Sequence, residues 1–252
     1  MISNEEIKGI KEKIYEYNID IKDLYIKTNN GKFIIGAKLK DNRMDKIYKL
    51  NHFLLSVIDL NKKTIVSIEL AIGSIKRITK EFDMLNNHNE TEEIESYYYL
   101  ENAIYRIGML WDSLAQIYNV YIDKGFDINK IYYKSFFKNL NDENNKIINI
   151  KQIYTYIIEE EKTNELDIGV HSYVNKMRNT LTHRYSLAIT AFSDNAPGGI
   201  FLKPHYVYLL YKISYDFNKV MKFLSEIFEL IEKDNKQLIK DYSEDLNVIY
   251  RS

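Results

Sequence analysis

Cysteine is absent from all 252 residues. Its absence excludes a disulfide framework, a thiolate metal site and a cysteine nucleophile, and it fits a reducing cytoplasm. Proline occurs twice and glycine nine times, and so few breakers over this length favour long helices. No apolar run reaches the ~18–20 residues of a membrane span. The opening stretch, MISNEEIKGIKEKIYEY, mixes acid and base along an amphipathic pattern and does not read as a signal peptide. Formal charge is −1, so no global positive field recruits nucleic acid, and an RNA-acting chain of this kind needs a local basic patch. There is no Gly-rich phosphate loop, no His-Glu-x-x-His and no Gly-x-Ser-x-Gly. The five histidines, at 52, 88, 171, 183 and 205, show no metal-ligand spacing. The expectation is a cytoplasmic protein with no metal, no cofactor and no membrane segment.

What is present is mostly helical periodicity. Residues 4–17 form a charged amphipathic helix with Ile7, Ile10 and Ile14 on one side. A β-hairpin follows, residues 24–28 and 32–35 around Asn29-Asn30-Gly31, whose Asn-Gly supplies positive φ angles. Helical pattern then runs from Asp41 to Asn86, as one helix or as two broken at Asn61-Lys62-Lys63. A loop at 86–91 leads to a helix over 92–124, shorter helices over 128–140 and 145–163, and a helix over 164–188. Ser193–Gly199 is the strongest breaker cluster. The last helix runs from Pro204 to Glu232 or as far as Ile249. This predicts an all-α fold, with residues 1–40 as an N-terminal extension of helix and hairpin and 41–252 as a helical domain. No fixed-period repeat is present. The 22 tyrosines serve either as core and boundary residues with a wet hydroxyl or as platforms for stacked bases.

The stretch from His171 to Tyr185, HSYVNKMRNTLTHRY, has a polar side of an uncommon kind. At ~100° per residue, Ser172, Asn175, Asn179, His183 and Ser186 share one side of a helix, while Val170, Val174, Met177 and Leu181 share another. Amides, hydroxyls and an imidazole beside Arg178 replace the usual Lys and Glu. Such short polar groups belong in a half-buried cleft where each finds a hydrogen-bond partner.

Arg178-Asn179-Thr180-Leu181-Thr182-His183 resembles the Arg-x4-His signature of the HEPN family of helical ribonucleases and nucleotide-binding proteins. Arg184 and Tyr185 extend the likeness to the Arg-x4-His-x-Tyr form of toxins paired with a small nucleotidyltransferase antitoxin. The motif covers eight residues, and the rest of the resemblance is architecture, from about residue 41 to the end. It implies an up-and-down helical bundle, here with extra helices, acting as a metal-independent endoribonuclease in toxin–antitoxin or antiphage defence. By the same resemblance Arg178, Asn179 and His183 are the catalytic residues, two copies of the motif meet across a homodimer, and the partners are RNA and a nucleotidyltransferase-type antitoxin. Tyr185 is then the residue that such an antitoxin modifies with adenylate. The other reading of Tyr185 is packing at the helix end. A second functional reading is a catalytically silent module of the same family that binds a nucleotide or a protein.

The residue types suit the chemistry. RNA can be cut without metal because its own 2′-hydroxyl attacks the neighbouring phosphate. Histidine, with an unperturbed pKa of about 6.5, can move the proton. Arginine, always charged and planar, can hold the phosphoryl oxygens in pairs. Five residues along a regular helix set Arg178 and His183 ~140° apart, whereas Asn179 and His183 at i and i+4 are neighbours. So either Arg178 curls around the helix, the helix distorts, or a second copy completes the site. On the 92–124 helix, Leu100, Ile104, Ile107, Trp111, Leu114 and Tyr118 make the apolar face. Glu101, Tyr105, Gly108, Asp112, Ala115 and Asn119 make a neighbouring stripe. Gly108 and Ala115 allow close approach of another backbone. Glu101, Asp112 and Asn119 are either scattered boundary residues or groups that orient Arg178 or His183.

Overall fold

The computed structural model describes residues 2–17, 42–127, 130–143, 149–158, 169–183, 186–192 and 199–249. The hairpin expected over 24–35 lies outside the described residues, as do Arg184 and Tyr185. The described helices are α1 (Asn4–Tyr15), α2 (Asn42–Arg77), α3 (Thr91–Tyr121), α4 (Tyr133–Asp142), α5 (Ile150–Ile158), α6 (Val170–His183) and α7 (Tyr206–Ile249). Between α6 and α7, two-residue strands β1 (Ala191–Phe192) and β2 (Ile200–Phe201) pair antiparallel, Ala191 opposite Phe201. This short hairpin flanks the Ser193–Gly199 breaker cluster and is absent from the sequence-based expectation.

Local chemistry explains several element boundaries. At the start of α1 the Ser3 hydroxyl accepts from the Glu6 N–H at 3.2 Å, and the Glu6 carboxylate accepts from the Ser3 N–H at 2.7 Å. Ile7, Ile10 and Ile14 then face the core. α2 runs unbroken through Asn61-Lys62-Lys63: Lys63 pairs with Asp59 one turn earlier at 2.6 Å, and the Thr64 hydroxyl donates to the Leu60 carbonyl at 2.7 Å. α2 stops at Arg77, nine residues short of the expected Asn86. Tertiary bonds take over beyond that point. Glu90 accepts from the Thr79 N–H and hydroxyl. The buried Lys203 ammonium binds the Asn86 carbonyl at 2.7 Å, Asn89 Oδ1 at 2.6 Å and Glu93 Oε1 at 2.9 Å. The Asn87 amide pairs both ways with the Thr190 backbone, and Asn89 donates to the Ala188 carbonyl. The loop before α3 is thereby stitched to the segment that follows α6.

Side-chain pairs give the helix directions. Ser67 meets Arg106 and Ser74 meets Glu95, so α2 and α3 are antiparallel. Ser186, just past α6, meets Glu101 while His171 meets Trp111, so α3 and α6 are antiparallel. Tyr97 meets Tyr206 and Trp111 meets Asp216, so α7 runs parallel to α3 and antiparallel to α6. α2, α3, α6 and α7 thus succeed one another up and down, with α4 and α5 inserted between α3 and α6. All six residues of the expected α3 apolar face are buried. Among the described residues, no helix is long and apolar enough to cross a membrane.

Candidate functional site

Arg178 extends from the half-buried side of α6 onto α3. A Cβ built on Gly108 would lie 2.8 Å from Arg178 Cδ and 3.3 Å from its Cζ, with Nη1 nearer still. The missing side chain therefore makes a notch in α3 that receives the arginine arm; what approaches here is a side chain, where the sequence suggested a backbone. One turn on, Asp112 feels the positive charge of Arg178. Burial pushes the Asp112 carboxyl above its ordinary value, while Arg178 and the Tyr133 N–H at the start of α4 pull it back down. Among the described residues, Asp112 Oδ1 is buried with no hydrogen-bond partner.

These contacts make two measurable predictions. In an open helical position Gly→Ala stabilises by about 1 kcal/mol, but overpacking costs about 1–3 kcal/mol. Gly108→Ala is expected to lower the thermal midpoint of the wild-type chain and to raise it in an Arg178→Ala background. Equal shifts in both backgrounds would mean that the arginine does not occupy the notch. For Asp112, the folded carboxyl binds its proton more tightly than the unfolded one, so its ionisation costs stability. That cost is absent below the ordinary Asp value of about 3.9 and grows as pH rises through the raised value. The stability of Asp112→Asn relative to wild type should accordingly rise with pH across that window and level off above it; a flat difference between pH 4 and 7 would refute it.

The remaining predicted residues fall in different places. Asn179 is exposed on α6, and His183 closes α6 as its last residue. α6 is α-helical throughout Val170–His183, so its backbone is regular between residues 178 and 183. Glu101 Oε1 accepts from the Ser186 hydroxyl and the Leu187 N–H, each at 2.7 Å, and so fixes where the chain leaves α6. Asn119 is buried, and its amide pairs both ways with the Phe126 backbone, at 3.0 and 3.2 Å. It holds the turn after α3. Asp112 is thus the member of the three carboxylate and amide candidates that stands beside Arg178. His205 accepts from the Val207 N–H at 3.1 Å and caps α7.

Sequence reasoning missed a buried polar cluster whose Tyr133 feels the charge of Arg178. Asp216 of α7, 1% exposed, takes three donors. His171 Nδ1 lies 3.1 Å from Oδ1, the Tyr156 hydroxyl donates to Oδ1 at 3.0 Å, and Trp111 Nε1 donates to Oδ2 at 3.3 Å. With its proton assigned to Nδ1, His171 can accept from the Tyr133 hydroxyl at Nε2, 2.9 Å away. That hydroxyl also stands 3.4 Å from Asn175 Oδ1. Burial raises the Tyr133 phenol far above its ordinary value, so it acts as a neutral hydrogen-bonding group. Five helices contribute to this cluster. The signal was available in α7: Asp216 falls on the stripe of Leu209, Ile213, Val220 and Leu224, and a carboxylate on a core face demands buried donors.

Among the described residues, no group of three or more His, Asp or Glu side chains is placed to hold a metal ion. No family model, no curated protein and no solved structure matches this chain.

Proposed function

We propose that the chain is a HEPN-type endoribonuclease that cuts RNA without metal, with Arg178 and His183 as the reacting pair and Asn179 beside them. The observation that carries this reading is the seating of Arg178: its arm lies in the Gly108 notch, with its charge beside Asp112. A guanidinium held in this way is preorganised for a phosphoryl group instead of being free in solvent. In this reading the 2′-hydroxyl attacks the adjacent phosphorus and the 5′-oxygen leaves, giving a 2′,3′-cyclic phosphate and a 5′-hydroxyl. His183 moves the proton and Arg178 takes the charge on the phosphoryl oxygens.

In this reading a second copy completes the site, because five residues along a regular helix turn through about 500°. The neighbouring surface of α3 suits such a partner, since Ile94, Tyr98, Tyr105 and Met109 are exposed along it. A chain that stays monomeric at micromolar concentration would rule out the composite site. The setting proposed is growth arrest in toxin–antitoxin or antiphage defence within a bacterial cytoplasm, with Tyr185 as the residue an antitoxin would modify.

One observation favours the second reading, a silent module that binds a nucleotide or protein. Asp112 offsets part of the charge on Arg178, which weakens its hold on a phosphate. RNA cleavage in excess EDTA by the purified chain and its Arg178→Ala and His183→Ala variants separates the two.

A further inference from the structure

Net charge hides a local asymmetry. α6 carries Lys176 and Arg178 and no carboxylate, and over 206–222 α7 carries Lys212, Lys219 and Lys222. The one carboxylate in that part of α7, Asp216, is buried against His171. An acidic run, residues 159–167, precedes α6 in the chain and lies outside the described residues.

On α7 the spacing of Tyr208, Lys212, Tyr215, Lys219 and Lys222 is four, three, four and three, which keeps all five on one stripe about 21 Å long. The lysines rest on rings. Lys212 Nζ lies 5.1 Å from the Tyr208 ring centre, and Lys219 Nζ lies 5.4 Å from that of Tyr215 and 5.8 Å from that of Tyr156 on α5. Among the described residues, neither Lys212 nor Lys219 forms an ion pair with a carboxylate. Lys13 of α1 adds a further ammonium at 5.6 Å from the Tyr215 ring. The acids flanking this stretch are turned to other work: Glu6 caps α1, Glu16 accepts from Asn218, and Glu226 pairs with Lys222 where the stripe ends. Tyr208 is 48% exposed and packs edge-on against Tyr173 of α6. Since α6 and α7 are antiparallel, the stripe read from Lys222 to Tyr208 runs in the direction in which α6 runs from Val170 to His183, and it meets α6 in its first turn at Tyr173.

Alternating cations and aromatic rings along a groove is the arrangement that holds a flexible polyanion carrying flat bases. An acidic peptide or an anionic lipid surface would be held by the lysines, whereas a single strand can use both the lysines and the exposed Tyr208 ring. We propose that Tyr208, Lys212, Tyr215 and Lys219 form a track for single-stranded RNA that leads toward the end of α6. The proposal rests on the ribonuclease reading for the identity of the polymer as substrate, but binding along the track does not require cleavage.

The test is fluorescence anisotropy with a labelled, 2′-O-methylated single strand of about 15 nucleotides, which cannot be cut, titrated against the full chain over a range of salt. Removing two phosphate contacts in Lys212→Ala/Lys219→Ala should flatten the log–log salt slope by about 1.4, at about 0.7 per contact for single strands. Tyr208→Ala should weaken binding about fivefold or more, the loss of one base stack. Lys212→Gln/Lys219→Gln, which keeps the stems over the rings, guards against a folding defect and should reproduce the slope change. Unchanged slope and affinity in these variants would overturn the track. So would equal binding of a duplex, or capture of phosphatidylserine vesicles in place of RNA. If the strand binds through the track and cleavable RNA survives, the track stands and the ribonuclease reading fails. If RNA is cut and the track variants leave KM unchanged, the track fails alone.

Discussion

Replacing Asp216 by alanine is expected to destabilise the fold by about 3–5 kcal/mol, since each buried donor left without an acceptor costs about 1–3 kcal/mol. Three donors, from His171, Tyr156 and Trp111, lose their acceptor in a place that water does not reach. For a chain of this size that lowers the melting temperature by on the order of 10 °C. Asp216→Asn is nearly isosteric yet turns one acceptor into a donor facing other donors, so it should lose a large part of the same stability. Thermal denaturation followed by circular dichroism reads both. If both variants melt within a degree of wild type, the cluster does not anchor the fold.

On the proposed ribonuclease function, loss of the Arg178 guanidinium is expected to reduce RNA cleavage about 100- to 1,000-fold, the range for removing one preorganised donor to a developing oxyanion. Arg178→Lys should recover little. A lysine keeps the charge but lacks the planar fork that pairs with two phosphoryl oxygens and lies along the Gly108 notch. The fall should appear mainly in kcat if the guanidinium acts on the transition state. A change confined to KM would make Arg178 a binding group only. Arg178→Lys should melt close to wild type, and Arg178→Ala lower, because it empties the Gly108 notch and leaves Asp112 without its cationic neighbour.

The parts of this fold legible in the sequence are those set by local rules. Helical periodicity picks out the α3 core face and the Ile7, Ile10 and Ile14 side of α1, because each depends on residues within a turn or two. The end of α2 was not legible. Residues 78–86 carry no strong breaker. Just past Arg77 the Thr79 N–H and hydroxyl donate to Glu90, and further on the Asn86 carbonyl accepts from Lys203, more than a hundred residues away in the chain. The His171–Asp216 pair joins residues 45 apart in the chain, so the stripe on α7 shows that Asp216 needs buried donors but not which donors it meets. Gly108 was noticed as small, but its use as a seat for Arg178 depends on how α6 crosses α3. Glu101 and Asn119 share the Asp112 stripe by spacing, yet loops that spacing cannot place engage them at Ser186 and Phe126. Periodicity reports which side of a helix a residue is on, and tertiary contacts decide what it meets there.

The most direct test of the central claim is to incubate the purified chain with single-stranded RNA in excess EDTA and identify the new ends. Cleavage leaving 2′,3′-cyclic phosphate and 5′-hydroxyl ends, abolished in both Arg178→Ala and His183→Ala, is the predicted result. No cleavage, or cleavage that either variant retains in full, contradicts it.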